Sequence, residues 1–216
     1  MATLPVDLVY CSWSKFKQEE WNWIKDVFSL DCMPGQTLGQ LFALEFRKVP
    51  TTEPLLCDLE KMVQAKVDSA YSAVRVPCIV EHAGLVLEGY EDKLFPGGLT
   101  QPMWDDLDAE LFAVGCSSLT ARATARAVIG YCDGMNIVTF VWDTKGSIFK
   151  TPMGGRAFYW DTVFCPDGFQ NRTCAEIAGS YSSGLIKKLE VSQSIKALKK
   201  FMEYRLRNEP VLFPGL

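Results

Sequence analysis

The stretch from Phe158 to Gly168 constrains the fold of this chain more than any other, because aromatic residues, a carboxylate and turn formers follow one another in it. Two glycines precede it and Pro-Asp-Gly closes it, which predicts a loop, a short strand and a tight turn. We expect Asp161, next to Trp160, to be exposed between aromatic rings. Stacking rings and a carboxylate that accepts N–H donors form a pocket suited to a nucleobase. The alternative is a set of core aromatics beside a surface turn.

Further motifs follow this stretch in a fixed order. Thr173, Ala175 and Glu176 come soon after the turn, and Lys188 and Ser192 precede the last predicted helix. This order resembles the inosine triphosphate pyrophosphatase (ITPase) family, whose members hydrolyse non-standard purine nucleoside triphosphates. The family motifs are Gly-Trp/Tyr-Asp-Pro-x-Phe-x-Pro-Asp-Gly, Thr-x-Ala-Glu and Lys-Asn-x-x-Ser-His-Arg.

The match to these motifs covers most of their positions. The matching residues are Trp160, Asp161, Phe164, Pro166, Asp167, Gly168, Thr173, Ala175, Glu176, Lys188 and Ser192. The chain departs from the motifs at Tyr159, Thr162, Gln193 and Ser194. Gln193 and Ser194 stand where the family has the His-Arg pair that reads the purine.

A polar turn near the amino terminus resembles the first motif of the same family, Ser/Thr-x-Asn-x-x-Lys-x-x-Glu. The turn follows a predicted strand at 6–11 and carries Ser12, Ser14, Lys17 and Glu20, with Ser14 in the Asn position. A strand that runs into a helix presents N–H groups to a phosphate, and a lysine and serine hydroxyls add charge and hydrogen bonds. The residues alone also allow plain N-capping by Ser14, with Lys17 and Glu20 on a solvated face.

The segment Pro77–His82 is predicted to be a buried strand that ends in polar residues, where α/β folds usually carry sites. The family has Glu-Asp here, and its Asp serves as metal ligand or general base, whereas this chain has Glu81 and His82. Imidazole acts as a base near neutral pH but is a poor ligand for Mg²⁺. Glu81 and His82 are therefore candidate catalytic residues, although a lone histidine is also often a hydrogen-bonded structural residue. Glu53 lies near the family's metal-binding Glu, so Glu53 and Glu81 are candidate ligands for the Mg²⁺ that the resemblance implies.

Composition limits the partners and the compartment. The 216 residues are 48% hydrophobic, which is enough for one domain to bury its own core. The net charge of −4 argues against DNA or RNA as a partner, because phosphate contacts need clustered Lys and Arg. The 8 cysteines include no Cys-x-x-Cys pair, and neither a signal peptide nor a membrane-spanning apolar run is seen. We expect a cytoplasmic protein with reduced thiols and no nucleic-acid or membrane partner.

Hydrophobic spacing predicts the elements of an α/β fold. The predicted helices cover 17–28, 55–74, 103–114 and 192–207, and the predicted strands cover 6–11, 41–46 and 77–82. The inward faces of the first three helices are expected to include Val27, Leu55, Leu111 and Val114. Asp133-Gly134 predicts a hairpin, and Thr144–Gly146 is expected to form the next turn.

The resemblance adds an overall shape to these elements. It implies a single ITPase-like domain, residues 1–216, with an elongated two-lobed fold, a mixed central sheet and a nucleotide cleft between the lobes. It also implies a homodimer. The apolar segment Val211–Leu216 is expected either to fold back onto the domain or to contact another chain.

The matched residues define a binding frame. The resemblance assigns substrate binding to Ser12, Ser14, Lys17, Phe158, Trp160, Asp161, Lys188, Ser192 and Gln193. Loss of one electrostatic catalytic group costs about two to three orders of magnitude in rate, whereas ligand binding survives such a loss. Our leading hypothesis is a sensor or regulatory protein that binds an ITP-, dITP- or XTP-type nucleotide and signals to a partner. The alternatives are an active pyrophosphatase that releases monophosphate and pyrophosphate, and a scaffold that binds no nucleotide.

The resemblance also suggests a partner for a sensor. Relatives act as ITPase-like subunits in bacterial anti-phage defence, where they work with a sirtuin-like NAD hydrolase. An effector of this kind is therefore a candidate partner, beside the purine nucleoside triphosphate and a second copy of the chain.

Overall fold

A computed structural model describes residues 4–155, 159–180 and 183–208 of the chain. The strands are β1 (Val6–Cys11), β2 (Ser29–Leu30), β3 (Met33–Thr37), β4 (Phe42–Arg47), β5 (Cys78–Leu87), β6 (Pro96–Gly97), β7 (Arg122–Cys132), β8 (Ile137–Ile148) and β9 (Phe164–Pro166). The helices are α1 (Lys15–Ile24), α2 (Leu38–Leu41), α3 (Leu59–Val74), α4 (Thr100–Asp106), α5 (Ala109–Leu119), α6 (Cys174–Gly179), α7 (Gly184–Val191) and α8 (Gln193–Arg207), with a 3-10 turn at Tyr159–Thr162. None of the helices in these residues is long and apolar enough to cross a lipid bilayer.

A mixed sheet forms the centre of the fold, as predicted. Its strand order is β4-β1-β5-β7-β8-β9, and the short β6 pairs with β5. β1 lies parallel to β4 and β5, whereas β5, β7, β8 and β9 are antiparallel neighbours. β7 and β8 form the predicted hairpin, in which Gly134 has a φ of +106° and the Asp133 carboxylate accepts two backbone N–H groups of the turn.

Three apolar clusters pack on this sheet. α3 covers one face and α8 the other, and each brings a buried cluster against the first half of β5. The third cluster lies with α4 and α5 against the second half of β5, where Leu85 and Leu87 are buried. Glu81 and His82 lie in the middle of β5. These polar side chains therefore separate the first two apolar clusters from the third.

Two predicted helices differ from the structure at one end. α1 ends at Ile24 rather than at residue 28, because the next turn redirects the chain, and Val27 is 59% exposed instead of facing inward. α3 begins at residue 59 rather than 55, because the Asp58 carboxylate caps it by accepting two backbone N–H groups. Leu55 is consequently 71% exposed. The remaining apolar stripe of α3 is buried as predicted.

The helix predicted at 103–114 is wrong in a different way, because the structure divides it into α4 and α5. The Asp108 carboxylate accepts the backbone N–H of Leu111 and starts a new helix there. This restart rotates the buried face to Phe112, so Leu111 and Val114 are exposed.

Two predictions about strands are also corrected. The strand predicted to end at His82 continues to Leu87, because β7 pairs with all ten residues of β5. Thr144–Gly146 lies inside β8 and not in a turn, since β7 pairs with these residues on one side. The segment Val211–Leu216 lies outside the described residues.

Candidate active site

A cleft of about 350 Å³ lies where β1 ends and β5 continues past it. β1 and β5 are parallel and pair at Val9–Cys78 and Tyr10–Ile79. The residues that follow Tyr10 in β1 and Ile79 in β5 therefore lie at the same end of these two strands. The turn after β1, the segment after β4, α3 and the 3-10 turn complete the walls. The cleft brings together the predicted catalytic residues, the predicted metal ligands and part of the predicted substrate-binding set, namely Glu81, His82, Glu53, Ser12, Ser14, Lys17 and Trp160.

The two serines shape the turn between β1 and α1. Ser12 Oγ accepts the backbone N–H of Ser14 at 3.1 Å. Ser14 occupies the N-cap position of α1, but its side chain makes no capping hydrogen bond. Plain N-capping by Ser14 therefore does not describe this turn, and its hydroxyl is not committed to the helix end.

Glu81 is buried beside two donors. The Tyr10 hydroxyl donates to Glu81 Oε2 at 2.6 Å, and Lys17 Nζ lies 2.5 Å from Glu81 Oε1. Burial raises the pKa of Glu81, but the charge and hydrogen bond of Lys17, together with the Tyr10 hydroxyl, outweigh it, so the net pKa lies below the usual value. Glu81 is thus ionised, and its ion pair with Lys17 holds the lysine side chain at the cleft.

Glu53 connects the histidine of the cleft to a lysine. Glu53 Oε2 lies 3.3 Å from His82 Nδ1, and Glu53 Oε1 lies 2.9 Å from Lys66 Nζ. The hydrogen bond from His82 and, next in effect among the favourable contacts, the charge of Lys66 lower the pKa of Glu53 to about 2. His82 is 6% exposed, and its Nε2 has no hydrogen-bond partner among the described residues. Nδ1 faces a carboxylate, so in a neutral imidazole the proton lies on Nδ1 and Nε2 is the acceptor, in a side chain that lines the cleft.

Asp161 and Lys188 lie in a second, much smaller pocket of about 20 Å³. Lys188 Nζ is 3.1 Å from Asp161 Oδ2 and 3.3 Å from Glu20 Oε1. Burial raises the pKa of Asp161, whereas for Lys188 burial acts downward and the two carboxylates outweigh it, so the pKa of Lys188 is raised. Asp161 is 5% exposed, so the expectation of an exposed carboxylate is wrong.

The predicted substrate-binding residues are divided between the two pockets. The smaller pocket is lined by Asp161, Lys188, Ser192, Gln193 and Ser194, and Trp160 lines both. A space of this size has room for about one water molecule and does not admit a purine in this conformation. Phe158 lies outside the described residues.

A sequence model of the Ham1 family matches residues 8–204. The chain belongs to the Ham1 family. It is 31% identical over 134 residues to the dITP/XTP pyrophosphatase of Methanopyrus kandleri, a match that covers 61% of the chain and 66% of that protein. It is 28% identical over 148 residues to the dITP/XTP pyrophosphatase of Saccharolobus solfataricus, covering 68% of the chain and 72% of that protein.

Solved structures of Ham1 proteins share the fold. The HAM1 protein of Coxiella burnetii superposes with a TM-score of 0.70 over 94% of this chain and 100% of that one, at 16% identity. The Ham1 protein of Staphylococcus aureus gives a TM-score of 0.60 over 92% of this chain and 99% of that one, at 17% identity. These likenesses confirm the predicted mixed α/β fold.

Sequence reasoning missed Lys66 and Trp13, which line the cleft, and Tyr10, which contacts Glu81 beside it. Lys66 belongs to a helix whose periodicity predicts core packing; its spacing of seven from Leu59 places this charged residue on the same face as the apolar stripe, and that exception could have marked it. Tyr10 was treated as an ordinary strand residue, and nothing local shows its contact with Glu81. Trp13 is 63% exposed at the cleft, where its indole N–H donates to the Val49 carbonyl at 2.8 Å.

Proposed function

We propose that this protein hydrolyses ITP, dITP or XTP to the nucleoside monophosphate and pyrophosphate. The observation that carries the proposal is His82, whose buried Nε2 has no partner among the described residues while Glu53 holds Nδ1. Lys17 and Lys66 line the same cleft. The archaeal relatives named as dITP/XTP pyrophosphatases support this reaction, so hydrolysis ranks above the sensor role that the altered motifs suggested.

His82 acts as the general base in this proposal. Its Nε2 takes a proton from a water molecule, whose oxygen forms a bond to the α-phosphorus. The bond from the α-phosphorus to its bridging oxygen breaks, and pyrophosphate leaves with that electron pair. Glu53 holds the imidazole in the required tautomer, and the ammonium groups of Lys17 and Lys66 offset the negative charge that develops on the phosphate oxygens.

The small pocket supplies recognition of the purine in this proposal. Asp161 accepts N–H donors of the base and Lys188 donates to its acceptors, with Ser192 and Gln193 beside them. Trp160 lines both spaces, and in this proposal the base reaches the small pocket when this buried ring moves. A substrate that lacks the matching donors leaves buried polar groups unpaired and is rejected.

A second candidate function is binding without turnover, in which the protein reports nucleotide to a partner. The observation that favours it is that both candidate carboxylates, Glu53 and Glu81, are already paired with lysines. In this case the cleft holds the nucleotide, and a homodimer partner or an effector such as a sirtuin-like NAD hydrolase receives the signal.

The test measures pyrophosphate release from ITP, dITP and XTP beside ATP and GTP, together with binding by calorimetry. We expect turnover of the first three by the wild-type chain, and a loss of at least about 100-fold in His82→Ala with nucleotide affinity largely kept. Lys61→Met, on the exposed side of α3, is the matched control and should be unchanged. Binding without pyrophosphate release would favour the second candidate, and no binding at all would exclude both.

A further inference from the structure

Ham1-family members generally depend on a metal, and the Mg²⁺ expected here would supply a cation that polarises the phosphates. Mg²⁺ takes hard oxygen ligands and is usually held by one or two carboxylates together with substrate phosphates. The candidate carboxylates are Glu53 and Glu81. Whether Mg²⁺ fits therefore depends on what surrounds their oxygens.

Glu81 is poorly placed to become a metal ligand. Its two side-chain oxygens lie at hydrogen-bonding distance from Lys17 and from the Tyr10 hydroxyl, and the side chain is 4% exposed. A metal that took either oxygen would compete with the Lys17 ammonium or with the Tyr10 hydroxyl for a buried carboxylate, which is costly.

The two side-chain oxygens of Glu53 also have partners, which are Lys66 and His82. Lys66 Nζ contacts Glu53 Oε1 at 2.9 Å and donates to the backbone carbonyl of Glu81 at 3.1 Å. The ammonium thus lies between two oxygen groups from different segments, as a bound cation would. His82 takes the other oxygen of Glu53 and offers nitrogen where Mg²⁺ prefers oxygen. Within the described residues, no group of three His, Cys, Asp or Glu side chains is placed to hold a metal ion.

We infer that the cleft binds the phosphates of its nucleotide without a divalent cation, because Lys66, between Glu53 and Glu81, occupies the cation position itself. An ammonium has three donors, and the two contacts of Lys66 among the described residues leave one for a phosphate oxygen. Lys66 is 14% exposed at the cleft wall, where partial desolvation strengthens its attraction to phosphate. The inference rests on the proposed function only in that the ligand is a purine nucleoside triphosphate.

The test is calorimetry with the α,β-methylene analogue of ITP, which cannot be cleaved between those phosphates, in buffer with Mg²⁺ and in buffer with EDTA. The wild-type chain should bind with dissociation constants that agree within about threefold. Lys66→Met should weaken binding at least tenfold in EDTA, Lys66→Arg should restore part of the loss, and Lys61→Met should have no effect. Thermal melting of each variant verifies that it is folded.

The outcomes separate this inference from the proposed function. Binding that weakens tenfold or more in EDTA, or a folded Lys66→Met variant with wild-type affinity, would overturn the metal-free site while leaving a nucleotide-binding protein. Failure to bind the analogue both with Mg²⁺ and with EDTA would remove the proposed function and this inference together.

Discussion

At the scale of single residues, the Lys188 ammonium joins three elements of the fold by its ion pairs with Asp161 and Glu20. Asp161 was expected to be exposed between rings, yet it is buried against Lys188. The local pattern near Asp161 shows its neighbours along the chain, whereas its partner comes from α7 and a second carboxylate, Glu20, from α1. Motifs therefore predict which residues belong to a site, but they do not predict a buried ion pair between elements that are distant in sequence.

The buried pairing of Lys188 leads to a prediction about stability. Lys188→Met removes the cation between the buried Asp161 and the partly exposed Glu20, and breaking a buried pair costs about 3–5 kcal/mol. Lys187→Met removes an exposed ammonium one residue earlier and should change the free energy of unfolding by less than about 0.5 kcal/mol. Urea unfolding of the two variants measures the difference, and equal midpoints would show that the ion pairs of Lys188 contribute nothing to folding.

At the scale of elements, periodicity predicted which segments are helices and strands, and tertiary contacts decided where they end. The segment 103–114 keeps helical spacing throughout, but Asp108 restarts the helix, so α5 buries a different face. β5 extends past His82 because β7 pairs with it, and a single strand carries no signal of its neighbour's length. Glu81 and His82 therefore lie within a strand and not at its end, and both line the cleft.

Two glycines give a matched prediction at this scale. A Cβ at Gly146 in β8 would collide with the Cys165 carbonyl and lie 2.6 Å from Cζ of Phe164, so Gly146→Ala must displace β9. A Cβ at Gly115 in α5 meets no atom within 4 Å, so Gly115→Ala should stabilise the helix by about 0.5–1 kcal/mol. Gly146→Ala should instead destabilise the protein by about 1–3 kcal/mol.

Thermal melting and hydrogen exchange test this pair. Because β9 directly follows the 3-10 turn that carries Trp160 and Asp161, Gly146→Ala should also speed amide exchange in that turn. A Gly146→Ala protein as stable as the wild type, with unchanged exchange there, would contradict the role assigned to the close approach of β8 and β9.

At the scale of the whole molecule, the order of motifs was enough to predict the fold, because that order fixes which loops meet around a cleft. The same order could not show that the binding residues are divided between two pockets or that lysines already neutralise the carboxylates. Those features depend on side-chain positions such as that of Lys66, which the sequence presents as part of an apolar helix. The fold was therefore more predictable than the electrostatics of its site.

The last prediction concerns the carboxyl-terminal residues and assembly. α8 completes its own end within the described residues: the N–H groups of Asn208 donate to the Tyr204 carbonyl, and Arg205 donates to the Asn208 carbonyl. α8 thus ends at Arg207, before the apolar segment at 211–216 begins. We expect deletion of residues 210–216 to leave the melting temperature nearly unchanged and to reduce self-association, measured by light scattering over a concentration series. A control chain with 211–213 changed to serine should behave like the deletion, because only the apolar contact is removed. A large drop in melting temperature with unchanged association would instead show that these residues belong to the domain's own core.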